Sequence, residues 1–297
     1  MSERQPPPRA AGVIHDIGYR CYSGPRESNA KIALSLYLTG LRHAFGIGRS
    51  GRSKVLPIVL GAFTLLPAVI LIGVLAVTGA SEALVSYADY TNQVQVLISI
   101  FAAAQAPVLF SRDLRSRSIV LYLARPLSPA VLAVVRWASL ATACLIFILI
   151  PQLLLLGGGL IADLDVSHEL SQFLKSVPLT FLLAVMLAGI TGLIASYALR
   201  RGFAVVGSIL ALVVLSSGVS IVQAIADETG SRRVGEFAGL FSPWSLVNGL
   251  ASAMDAGVRV ITPPHGAPMV ALYLIAIAAV VLGTLTLLVV RFRKAGR

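Results

Sequence analysis

Three residue patterns in this chain could carry chemistry. The first is GIGRSGRS, Gly46 to Ser53, which reads both as GxGxxG and as GxxxxG followed by a basic residue and a serine. Glycines at that spacing let a backbone approach a phosphate, and a helix N-terminus behind them offers free N–H groups to it. The second is the set of metal- and disulfide-forming types: His15, His43, His168, His265, Cys21 and Cys144. None falls at a metal-ligand spacing such as HExxH, and the cysteines make no disulfide framework, so no metal is assigned. The third is a charged run, Asp113, Arg115 and Arg117, followed by Arg125 and Arg136. Its meaning depends on the elements that hold it.

Composition sets those elements. Of 297 residues, 57% are apolar and 12% charged, and the mean hydropathy is +0.85. Soluble domains run at about 25% charged. The chain therefore reads as an all-α integral membrane protein. Six stretches are long and apolar enough to cross a bilayer, residues 55–78, 92–110, 137–161, 177–198, 204–225 and 269–290; a span needs about 20 residues. None of the six contains Asp, Glu, Lys, Arg or His, so the ionisable group that ion-coupled carriers place inside the membrane is missing from them.

The formal charge of +11 follows the same layout. Twenty of the 24 Lys and Arg residues lie in residues 1–54, between spans two and three, between spans four and five, or after span six, and nine of the 13 acids lie in the opposite loops. By the positive-inside rule both termini face the cytoplasm. The charge is explained by topology, without nucleic acid as a partner. The expected location is a bacterial-type plasma membrane, with membrane lipids as partners.

The segments around the spans can then be read. Residues 1–28 are expected to form a flexible cytoplasmic tail, since RQPPPRAAG lacks the apolar core of a signal peptide. Residues 29–54 are expected to form an interfacial helix and a basic hinge before the 55–290 transmembrane domain, and residues 291–297 a basic cytoplasmic tail. The helix places Leu34, Leu38, Leu41 and Phe45 on one face. A phosphate-cradling loop needs a buried strand before it and a lysine after its second glycine. Here a helix precedes the stretch, Arg52 stands at the lysine position and a span follows. Gly46 to Ser53 is therefore read as a hinge, with Arg49, Arg52 and Lys54 set against anionic headgroups.

Between spans two and three lies SRDLRSRSIVLYLARPLSPAVLAVVRW, residues 111–137. The pattern predicts a helix with Ile119, Val120, Leu123 and Leu127 on its apolar face, a stop at Pro126, and a second helix capped by Ser128 with Pro129 in its first turn. At these residues the chain resembles the ABC-2 class of ABC transporter permeases. In that family's pattern the second span is followed by an acidic residue, a Gly-Thr pair, a leucine-rich turn, Arg-Pro, a small hydroxyl residue and a Gly-Lys pair opening the third span. Asp113 takes the acidic position, Ser118 the threonine, LYLARPLS the leucine-rich turn with Arg125 and Pro126, and Arg136 the lysine. Arg117 and Val135 stand where glycines are usual.

The resemblance implies an ABC-2 exporter-like fold of six transmembrane helices with an N-terminal interfacial helix. It implies a non-catalytic permease subunit that works beside a second permease copy or homologue. A separate ABC ATPase subunit would bind ATP and Mg and dock on the segment containing Asp113, Arg115, Arg117, Ser118, Arg125, Pro126 and Arg136. This chain would hold no cofactor of its own, and its cargo would be apolar or amphipathic. The alternative is a membrane anchor or mechanical transmitter coupled to the same ATPase.

Two further expectations concern the outer side and the membrane interior. In the loop at residues 226–268, FSPWSLVNGLASAMD predicts a helix capped by Ser242, with Pro243 in its first turn, Val247, Leu250 and Met254 on one face and Trp244 at the interface. It is either an external lid, as in the resembled family, or a surface helix. Inside the spans, Gln93, Gln95, Gln105, Thr142, Gln152, Thr191, Ser216, Ser217 and Gln223 are read as helix-to-helix bonds in preference to a lined path, and Pro67, Pro107, Pro151 and Gly157 to Gly159 as bends or breaks.

Overall fold

The computed structural model describes residues 27–80, 82–111, 127–198, 200–258 and 260–295. These form a helical bundle with no strand among the described residues. The helices are α1 (Asn29–Ala44), α2 (Arg52–Thr78), α3 (Tyr87–Gln93), α4 (Gln95–Leu109), α5 (Pro129–Ile161), α6 (Val166–Tyr197), α7 (Arg201–Ile209), α8 (Leu215–Glu228), α9 (Arg232–Ala238), α10 (Pro243–Ala253) and α11 (Gly266–Ala295). A π-helical turn, Leu210–Val214, joins α7 to α8 in one long rod. Among the described residues five helices are long and apolar enough to cross a membrane, and α3 with α4, bent by 66° at Val94, makes a sixth crossing if counted as one. The chain is therefore a multi-pass membrane protein.

Helix ends follow capping chemistry more than the apolar windows. Ser128 caps α5 by accepting from Val131 N–H at 3.3 Å, with Pro129 at the first position. This starts the helix eight residues before the apolar stretch at 137. Asp165 likewise starts α6 well before residue 177, its carboxylate accepting from Ser167 N–H at 3.1 Å. That bond holds the exposed Asp165 carboxyl below its ordinary range. An apolar window records only what must sit in hydrocarbon, whereas caps set where the helix begins.

The GIGRSGRS stretch is a helix terminator. Gly46 N–H donates to His43 O at 3.1 Å, Ile47 N–H donates to Arg42 O at 2.8 Å, and Gly46 has φ +74°, the bond pair of a Schellman cap closing α1. A Cβ at Gly46 would lie 2.6 Å from Ser53 O, so close approach and backbone sign both require glycine there.

Packing puts α5 and α6 at the centre. About 61% of the apolar window of α6 is buried, against 22% for α2, 22% for the α7–α8 rod and 17% for α11, whose remaining faces are apolar and outward. Phe45, Phe101 and Phe147 stack α1, α4 and α5 together, the last two with ring centroids 4.1 Å apart. The glycines at 157–159 do not break α5, which runs unbroken to Ile161, and Pro67, Pro107 and Pro151 also lie within continuous helices. Gly158 instead seats Ile72 of α2, and Gly159 leaves room for Leu164. Small residues let helix backbones approach in lipid, where dispersion replaces hydrophobic burial.

Candidate functional site

Two polar regions mark opposite ends of the bundle. The terminal end holds α1, the start of α5 and the end of α11. α1 is drawn along the first half of α5: Tyr37 OH donates to Thr142 Oγ1 at 2.9 Å, Ser139 Oγ donates to Tyr37 O at 3.0 Å, and a Cβ on Gly40 would lie 2.6 Å from Ser139 Oγ. At the same end Ser111 Oγ donates to Ala195 O at 2.6 Å and Arg291 Nε donates to Ser196 O at 3.3 Å. Arg136, on the first turns of α5, is only 5% exposed. It belongs to the packed bundle and not to a solvated loop.

The far end is organised by α3. Ser86 caps it and donates to Gly257 O at 3.1 Å. Tyr87 OH donates to Glu169 Oε2 at 2.5 Å, and Tyr90 OH donates to Thr64 O. Gln152 Nε2 donates to Thr91 Oγ1 at 2.7 Å and Thr180 Oγ1 at 3.0 Å, and Asn248 Nδ2 donates to Asn92 Oδ1 at 2.9 Å. Five residues, Ser86, Tyr87, Tyr90, Thr91 and Asn92, thus tie α3 to α2, α5, α6, α10 and the loop after α10. These tethers explain the bend at Val94, since α3 follows its partners while α4 follows the apolar seam. The span expected at 92–110 thus covers α4 and the last turn of α3, with the 66° bend near its start.

Beside this hub, Glu169 is 4% exposed and borders a cavity of about 30 Å3 with Leu75, Leu155 and Gly159. That is room for roughly one water. A second acid, Glu236 of α9, is 5% exposed and accepts from His265 N–H at 3.1 Å, with Arg232 Nε 3.7 Å away. The sequence reading missed both acids, because both lie in loops between apolar windows, Glu169 before the one at 177 and Glu236 after the one that ends at 225. The signal available was a glutamate in the first turn after the Asp165 cap, and an Arg-x-x-x-Glu pair at 232 and 236.

The expected site residues fall into three groups. Asp113, Arg115, Arg117, Ser118, Arg125 and Pro126 lie outside the described residues. The leucine face of α1 is divided: Leu34 and Leu38 are 56% and 42% exposed, whereas Leu41 and Phe45 are half-buried against the core. Pro243, Trp244, Val247 and Leu250 are all buried, whereas Met254, at the end of the same face, is 45% exposed. Trp244 is therefore inside the protein and not at the interface, because α10 packs between α6, α11 and α3. Its Nε1 has no hydrogen-bond partner among the described residues.

Of the polar groups expected to bond between helices, Thr142, Gln152, Ser216 and Gln223 do so, whereas Thr191 donates to Leu187 O at 2.7 Å and Ser217 to Val213 O at 2.9 Å within their own helices. Ser242 Oγ donates to Ser216 Oγ at 2.8 Å and Gln223 Nε2 to Gly235 O at 3.3 Å. No group of three metal-ligating side chains occurs among the described residues. Compared with known proteins, the chain matches no family model and no curated protein.

Proposed function

We propose that this chain is the membrane subunit of an ATP-driven transporter of the ABC-2 class. It exports an apolar or amphipathic cargo as a pair of permeases, with ATP and Mg bound in a separate ATPase subunit. The observation that supports this most is the junction at the start of α5. Ser128 and Pro129 begin a helix that passes without a break to the far end, and its first turns carry a buried Arg136 and the docked α1. A partner pushing on residues 112–126 would move α5 as a rod, and α1 with it.

A second reading is a mechanical transmitter that moves nothing across. It is favoured by the packed interior of the described bundle, where Phe101, Ala102, Ala106, Gln152, Ala184 and Ala188 are each no more than 1% exposed. Transport would then need a path at a subunit interface.

Affinity purification of the tagged chain from its native membrane tests the common part. Recovery of an ABC ATPase is expected, and its absence under conditions that retain other such complexes overturns both readings. Vesicles holding the intact complex separate the two. ATP-dependent accumulation of an amphipathic dye supports export, and ATPase activity without flux over a broad panel supports the transmitter.

A further inference from the structure

The α2–α5 seam opens towards the membrane in its terminal half. There, Ile47, Ile58, Gly61, Leu65, Phe147 and Ile150 line a cleft of about 360 Å3, with Lys54 at its rim. That is room for about a dozen water-sized groups, and the lining is almost wholly apolar. Phe147 is part of the buried ring stack and Pro57 is buried, so the floor is fixed. Gly61 faces open space: a Cβ there would meet nothing within 4 Å. Farther along the same seam Ile72 closes onto Gly158, so the cleft has an end.

Charge says what fits its mouth. Lys54 and Arg52 are exposed at the start of α2, and among the described residues every acid but Glu27 lies towards the far end. Glu27 is itself paired with Lys31 at 3.2 Å. A long apolar slot in a membrane-facing seam, capped by lysine in an electropositive end, suits an acyl chain attached to an anionic headgroup.

We infer that this cleft is a discrete site for one anionic membrane phospholipid, its acyl chain between α2 and α5 and its phosphate at Lys54. The inference rests on the membrane-spanning fold and not on the transport reading. The test is electron spin resonance of the full chain in phosphatidylcholine vesicles doped with a chain-labelled phosphatidylglycerol, compared with the same label on phosphatidylcholine. A saturable immobilised component is expected, favouring phosphatidylglycerol by about five-fold over phosphatidylcholine.

Lys54→Gln should remove that preference while leaving some immobilised label of both kinds. Gly61→Leu, which has space for its side chain, should abolish the saturable component with helix content and thermal midpoint unchanged. Wild-type binding in Gly61→Leu, or an immobilised fraction that grows without saturation, means ordinary boundary lipid and overturns the site. Disulfide crosslinking between two copies through Gly61→Cys, in the same vesicles, means that a second chain covers the seam and also overturns it.

Discussion

Glu169 shows how a single residue escapes a composition-based reading. The six apolar windows are free of charge, yet helix α6 extends eleven residues beyond its window and carries this carboxylate into the protein, where Tyr87 meets it. Burial of a polar group is tolerable only with a partner. Removing the acceptor should therefore cost more than neutralising it. Glu169→Ala is expected to destabilise the chain by about 1–3 kcal/mol, with Tyr87 losing its partner, and Glu169→Gln by less. Thermal unfolding in detergent measures both, and a double-mutant cycle with Tyr87→Phe should show a coupling of about 0.5–3 kcal/mol. Additive effects would mean that the pair does not form. Gln152 was legible as a bonding residue from its place in a span, but its partners Thr91 and Thr180 were not, because they are 61 and 28 residues away in sequence. Gln152→Leu is expected to cost about 1 kcal/mol, the usual scale of such bonds between membrane helices.

At the scale of elements, local chemistry was readable and tertiary direction was not. Ser128, Pro129, Ser242 and Pro243 start their helices where their types predict. The fate of α10 and the bend at Val94 depend on contacts between distant segments, such as Asn92 with Asn248, which no local pattern announces. Glycines show the same division. Gly157 and Gly158 are equal in sequence terms, but a Cβ on Gly157 meets nothing within 4 Å whereas one on Gly158 collides with Ile72. Gly158→Leu should force α2 off α5 and cost about 1–3 kcal/mol, the range for overpacking. Gly157→Leu should be neutral or slightly stabilising, since leucine has the better helix propensity. Equal thermal midpoints for the two variants would show that α2 does not pack on α5 through this glycine.

For the whole molecule, the charge pattern read along the sequence becomes a polarity along the bundle. Glu82, Asp163, Asp227, Glu236 and Asp255 gather at the end holding α3 and α10, and Arg49, Arg52, Arg200, Arg291 and Lys294 at the end holding α1 and the last turn of α11. Basic flanks stay on the cytoplasmic side during insertion, so the α1 end is expected to face the cytoplasm and α10 the outside. Single cysteines can test this, provided that the native ones are handled. Cys144 is fully buried and needs no change, whereas Cys21 should be replaced by serine. Ser50→Cys lies in the exposed turn before α2, and Met254→Cys, at a position 45% exposed, lies just after α10. On intact cells a membrane-impermeant maleimide should label Met254→Cys and spare Ser50→Cys, and opening the cells should make both react. Labelling of Ser50→Cys from outside would invert the bundle. It would also remove the ground for placing an ATPase beneath residues 112–126, because the flanking Ser111 and Leu127 lie at the same end as Ser50.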